Sequence, residues 1–163
     1  MNNLKNAICL ALTITLLACT SADSKSAIQG DWVIKTYRCA FGCVDVTEQF
    51  FKPYVGKTIP LSGGVLDDPY FGACLPEDLI VILKEVPTNS LLMERSEQLP
   101  EGMRFTRENT GINNNTVKAG QLACKDTKLG NRTILSILSA TPEQIIALEE
   151  DGLLLVLEPV AAR

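Results

Sequence analysis

No histidine occurs among the 163 residues of the sequence, and that absence removes whole classes of chemistry. Ser-His-Asp and Cys-His catalysis both need an imidazole that titrates near neutrality. Histidine-ligated zinc sites, including those that keep a position open for water, are excluded with them. Positive charge is also in short supply: 15 Lys and Arg stand against 19 Asp and Glu, for a formal net charge of −4. A nucleic-acid binder would cluster Lys and Arg on one face, so no nucleic-acid partner is expected. Internal repeats, heptad runs and low-complexity segments are absent as well. The apolar run from Ala7 to Ala18 is only 12 residues long, short of the roughly 20 that a helix needs to cross about 30 Å of hydrocarbon.

What that run does have is the length of a signal-peptide h-region, preceded by a short polar start with Lys5. It ends in Leu16-Leu17-Ala18-Cys19, which resembles the lipobox of bacterial lipoproteins. The resemblance implies cleavage before Cys19, a diacylglyceryl thioether on its sulfur and acylation of the new amino group. Residues 1–18 are then a signal peptide and residues 19–27 a lipidated flexible tether, with Ser21 to Ser26 small and polar. Several acyl chains, each buried CH₂ worth about 0.8 kcal/mol, would tether the chain to a membrane rather than thread it through one. Thr20 stands where an aspartate would resemble an inner-membrane retention signal. The resemblance thus implies an outer-membrane anchor facing the periplasm.

Cleavage leaves 145 residues and a charge of −5, because Lys5 leaves with the signal. That length suits one domain over residues 28–163. Cys39, Cys43, Cys74 and Cys124 remain beside the lipidated Cys19, an even number in an exported chain, so two disulfides are expected. Four cysteines allow three pairings and sequence alone does not choose. The expected pairing closes the Ala40-Phe41-Gly42 loop with Cys39–Cys43 and joins distant segments with Cys74–Cys124. A Cys₄ metal site is the competing reading of the same thiols.

Period-two alternation dominates the mature chain. Asp31–Cys39 reads as a strand, with Trp32, Ile34 and Thr36 on one face. Val46–Val55 is the one helix candidate, capped by Thr47, weakened by Pro53 and ended by Gly56. Further strands are expected at Lys57–Ser62, Val65–Asp67, Leu79–Val86, Leu91–Arg95, Met103–Arg107, Thr116–Cys124 and Arg132–Ser139. Gln144–Leu148 and Leu153–Val160 flank Asp151-Gly152, a strong hairpin signal; a helix starting at Thr141-Pro142 competes for the first of them. About eight short strands with one short helix point to a mainly β fold, a small antiparallel barrel.

Gly30-Asp31-Trp32 resembles the Gly-x-Trp opening of lipocalins and related small bacterial barrels, in which the tryptophan plugs one end. The ending Asp151 to Glu158 is similar to the last hairpin of lipocalin-like and META-like envelope lipoproteins. These resemblances imply a lipocalin-like barrel and no particular ligand.

Catalytic candidates are thin. Asp67 and Asp68 are adjacent, so a strand points them to opposite faces. Glu149, Glu150 and Asp151 crowd a turn. Ser62 and Ser136 have no base nearby in sequence, Gly63-Gly64 lacks the residues of a phosphate loop, and no loop carries a calcium ligand pattern. Neither an enzyme nor a cofactor is expected. The expected function is a lipid-anchored, non-catalytic binding module. One form of it takes a small apolar ligand near Trp32, Phe50 and Tyr54. The alternative presents a loop to an envelope or host protein, such as a hydrolase. The candidate loops are Asp67–Ala73, with Tyr70 and Phe71 as aromatic anchors, and Asn109–Thr116.

Overall fold

A computed structural model describes residues 28, 30–41, 52–126, 130–149 and 152–161. Among these described residues, nine strands and two helices follow one another: β1 (Asp31–Cys39), β2 (Thr58–Pro60), β3 (Leu66–Asp68), β4 (Gly72–Cys74), β5 (Leu79–Pro87), α1 (Thr88–Ser96), α2 (Arg107–Thr110), β6 (Thr116–Asp126), β7 (Gly130–Ala140), β8 (Ile145–Leu148) and β9 (Leu153–Pro159). Seven strands form one antiparallel sheet in the order β2-β1-β9-β8-β7-β6-β5, and β3 and β4 pair as a separate hairpin. The large sheet curls into a half-barrel. Register shifts at Ile34/Thr36, Lys118/Gly120, Leu122/Ala123 and Ile137/Ser139 supply the local bend and extra twist that such curling needs.

Both faces of the sheet are covered, which explains why β9 reads Leu153-Leu154-Leu155-Val156-Leu157 without alternation and is buried throughout. Leu153, Leu155 and Leu157 join Trp32, Ile34, Ile59 and the hairpin residues Leu66, Phe71 and Cys74 in one core. Leu154 belongs to a second core on the other face, with Leu91 and Leu92 of α1, Phe105, Ile112 and Leu138. The β8–β9 hairpin expected around Asp151-Gly152 is present, with Leu148 opposite Leu154 and the Glu149 N–H donating to the Leu153 carbonyl. Helix initiation at Thr141 is pre-empted: its hydroxyl accepts from the N–H groups of Glu143 and Gln144, a closed turn that feeds β8.

Two expected strands are instead helical or irregular. Leu91–Arg95 lies inside α1. Pro87 ends β5, and the Thr88 hydroxyl and N–H tie the turn to the Asn114 and Asn115 carbonyls. Leu, Met, Glu and Arg then continue the chain with strong helix formers. Met103–Arg107 runs into α2, where Thr106 and Asn109 exchange side chain-to-backbone hydrogen bonds as a capping box. The helix candidate Val46–Val55 lies largely outside the described residues, and residues 52–56 form a turn.

Candidate functional site

The β3–β4 hairpin lies against the face that carries the Trp32 core and is fastened there from three directions. Cys74 of β4 is disulfide-bonded to Cys124 of β6, with Cα atoms 5.8 Å apart. Next to Cys124, across the β6–β7 ladder, stands Arg132. Its guanidinium donates to the Phe71 carbonyl at 2.6 Å and to the Ala73 carbonyl at 2.9 Å, a fork spanning the first residue of β4. That residue must be glycine. Gly72 has φ +74°, and a Cβ there would meet Arg132 Nη1 at 3.0 Å.

The third fastening is electrostatic. Adjacent strand residues point to opposite faces, so Asp67 is exposed while Asp68 turns inward and is half-buried. One Asp68 oxygen accepts from the N–H groups of Tyr70 at 2.8 Å and Phe71 at 3.3 Å. The other is ion-paired to Lys57 Nζ. Burial alone would raise the Asp68 pKa, but the Lys57 ammonium and the two N–H donors outweigh it and hold the carboxyl below its ordinary value. Lys57 Nζ also lies 4.5 Å from the centroid of the Tyr70 ring, a cation–π contact.

Three of the five aromatic residues singled out from sequence converge here. Tyr54 stacks at a tilt on Tyr70 with centroids 5.0 Å apart, and on Phe71 at 5.8 Å. Tyr54 and Phe71 are buried and form the footing, whereas Tyr70 remains 51% exposed at the hairpin tip. Trp32 sits apart, 1% exposed in the core, its Nε1 without a hydrogen-bond partner among the described residues. Phe50, Cys43 and Cys19 lie outside the described residues. Cys39 is disulfide-bonded. Sequence reasoning missed Lys57 and Arg132, because Arg132 acts through the β6–β7 register and Lys57 through a tertiary contact with the hairpin, neither of which a local pattern reveals. The second candidate loop, Asn109–Thr116, is fixed at its start by α2 and by the Arg107 guanidinium, which bonds the Asn113 carbonyl and the Asn115 side chain.

A different feature occupies the open side of the half-barrel. Edge strands β2 and β5 do not pair, and between them lies a cleft of about 580 Å³ lined by Ile28, Leu61, Leu79, Ile80 and Val81 with Ser62 and Glu77. Among the described residues, no three His, Cys, Asp or Glu side chains gather as a metal site. Nor is any described helix long and apolar enough to cross a membrane. No family model, curated protein or solved structure matches the chain.

Proposed function

We propose that the protein is a lipid-anchored envelope lipoprotein whose domain is a non-catalytic binding module, and that its contact element is the clamped β3–β4 hairpin. The observation that carries this reading is Tyr70: a half-exposed aromatic at the tip of a hairpin fastened by Arg132, the Asp68–Lys57 pair and the Cys74–Cys124 bond. A rigid aromatic presented in advance loses little conformational entropy on binding, the property that makes Tyr a frequent interface anchor. Exposed Asp67 and Val65 flank it on the same hairpin. The partner is a protein with an apolar slot for the ring, such as an envelope or host hydrolase. The anchor at Cys19 places this loop at a membrane surface facing the periplasm.

A photo-crosslinking side chain in place of Tyr70, irradiated in native envelopes, tests the reading. A discrete adduct that is absent when the probe replaces exposed Glu143 supports it; identical adducts at both positions, or none, sink it. Cys19→Ala tests the anchor separately, since release of the protein from membranes is expected and unchanged membrane partition contradicts it. A second reading draws on the cleft between β2 and β5, whose apolar lining suits a small apolar ligand and whose volume falls within the roughly 300–1,000 Å³ of ligand pockets. An apolar fluorescent probe displaced by lipid extracted with the protein supports that alternative.

A further inference from the structure

The other face of the sheet carries a second concavity, unrelated to the hairpin. It has a volume of about 380 Å³ and is lined by Ile82 and Lys84 of β5, Arg95 of α1, Gly120 and Gln121 of β6, and Ser136 of β7, among others. The ladder explains the grouping. Ile82 pairs with Gln121 and Gln121 with Ser136, one row across three strands, while Lys84 pairs with Ala119 two residues along on the same face of β5. Arg95 reaches the same place from above. It stands one turn beyond Leu91, whose side chain anchors α1 on this face, and its position in the last turn suits a cation near the helix C-terminus.

Among the described residues, Arg95 Nε is buried without a hydrogen-bond partner, a cost to a guanidinium. Neither Lys84 nor Arg95 has an acidic partner within ion-pair distance among the described residues. The Thr133 hydroxyl donates to Gln121 Oε1 at 3.1 Å, which fixes the amide and leaves its NH₂ to donate. Among the lining residues none is acidic; Glu85, the neighbour of Lys84, points to the opposite face of β5. The pocket is thus positive on a chain whose net charge is negative. Gly120 forms its floor, where a Cβ would come within 1.9 Å of the Ile82 carbonyl oxygen.

We infer that this pocket binds a phosphoryl group, with Lys84 and Arg95 neutralising it, Gln121 and Ser136 completing its hydrogen bonds, and Ile82 meeting the organic part of the ligand. The donor inventory favours phosphate over carboxylate. An ammonium, a guanidinium, an amide NH₂ and a hydroxyl together exceed the capacity of two carboxylate oxygens and suit three phosphoryl oxygens. Ile82, 45% exposed, gives the site an apolar wall that inorganic phosphate would leave unused. The ligand is a phosphate ester, either water-soluble or the head group of a phospholipid.

Calorimetric titration of the full mature chain in non-ionic detergent at low salt tests this. The two probes are glycerol 3-phosphate and a short-chain phosphatidic acid in mixed micelles. Saturable binding of at least one is expected, weakened roughly tenfold by Lys84→Met and by Arg95→Lys, which keeps the charge and loses the fork. Glu85→Gln leaves binding unchanged. Saturation by the soluble ester identifies a soluble ligand, and saturation by the lipid alone identifies a head group. No saturation by either probe, equal affinity in wild type and both variants, or equal affinity for acetate overturns the inference.

Discussion

Replacing Arg132 by methionine keeps an aliphatic side chain but removes the guanidinium that lies over Gly72, and with it both bonds to the hairpin carbonyls. A hydrogen bond to a charged group contributes about 1.5–3 kcal/mol when shielded. Arg132 and Ala73 are exposed, so water recovers part of the loss, while the Phe71 carbonyl belongs to a buried residue. The two bonds together are taken as about 2 kcal/mol. With a urea slope of roughly 1–3 kcal/mol per molar, the unfolding midpoint of Arg132→Met falls by about 1 M, disulfides intact. Arg132→Lys retains the charge and one bond at a time, so about half that shift is expected. The clamp and the Cys74–Cys124 bond hold the same nine residues, so their effects couple. In a Cys74→Ala/Cys124→Ala background the hairpin is already loosened, and Arg132→Met then costs less than about 1 kcal/mol. An unchanged midpoint in Arg132→Met would refute the clamp. Full rescue by lysine would refute the fork geometry, and strict additivity with the disulfide loss would show that the two fasten different elements.

Asp68→Asn removes a carboxylate whose folded-state pKa is held down, so wild type carries its contribution above the unfolded value of about 3.9 and loses it as pH falls through the folded value. Denaturation midpoints between pH 7 and pH 2 are expected to converge for wild type and variant at the acid end; a constant gap would contradict the assignment. Gly120→Ala forces a Cβ against the Ile82 backbone, a carbonyl that cannot swing aside, and is expected to cost about 1–3 kcal/mol by calorimetry with loss of β5–β6 amide protection. Leu154→Ala empties a fully buried site between β9 and α1; a loss of about 2–5 kcal/mol is expected in chemical denaturation. Thiol labelling of denatured, unreduced mature protein is expected to find no free cysteine, against four if the thiols held a metal.

The strands were legible wherever one face met water or a turn residue marked the end. Trp32 and Ile34 alternate with half-exposed neighbours in β1, and Asp151-Gly152 marks the β8–β9 turn, so pattern and structure agree there. The Leu91–Arg95 segment misled because two adjacent leucines satisfy a strand or a helix equally. The decision lay in Met93, Glu94 and Arg95, good helix formers that follow a strand-ending proline. At Thr106 the cap was readable as Thr-x-x-Asn, a variant of the usual box. The aromatic part of the hairpin site, Tyr54, Tyr70 and Phe71, was visible as residue types. Its fastenings were not, because Arg132 is 60 residues from Gly72 and meets it only through the β6–β7 register. The opening between β2 and β5 was equally hidden, since closure of a sheet depends on bulges that leave no fixed signature.

The position of β1 has a consequence for the order of assembly. Its ladder runs from Trp32 opposite Pro159 to Cys39 opposite Leu153, so the first of the described strands is paired with the last of them. Closing a loop of more than a hundred residues costs on the order of 4 kcal/mol in chain entropy before any contact offsets it, and topologies of this kind fold slowly. Until β9 has been synthesised, β2 and β1 form one ribbon and β8 to β5 another, each with two raw edges and no shared core. A nascent chain therefore stays open until the residues of β9 arrive.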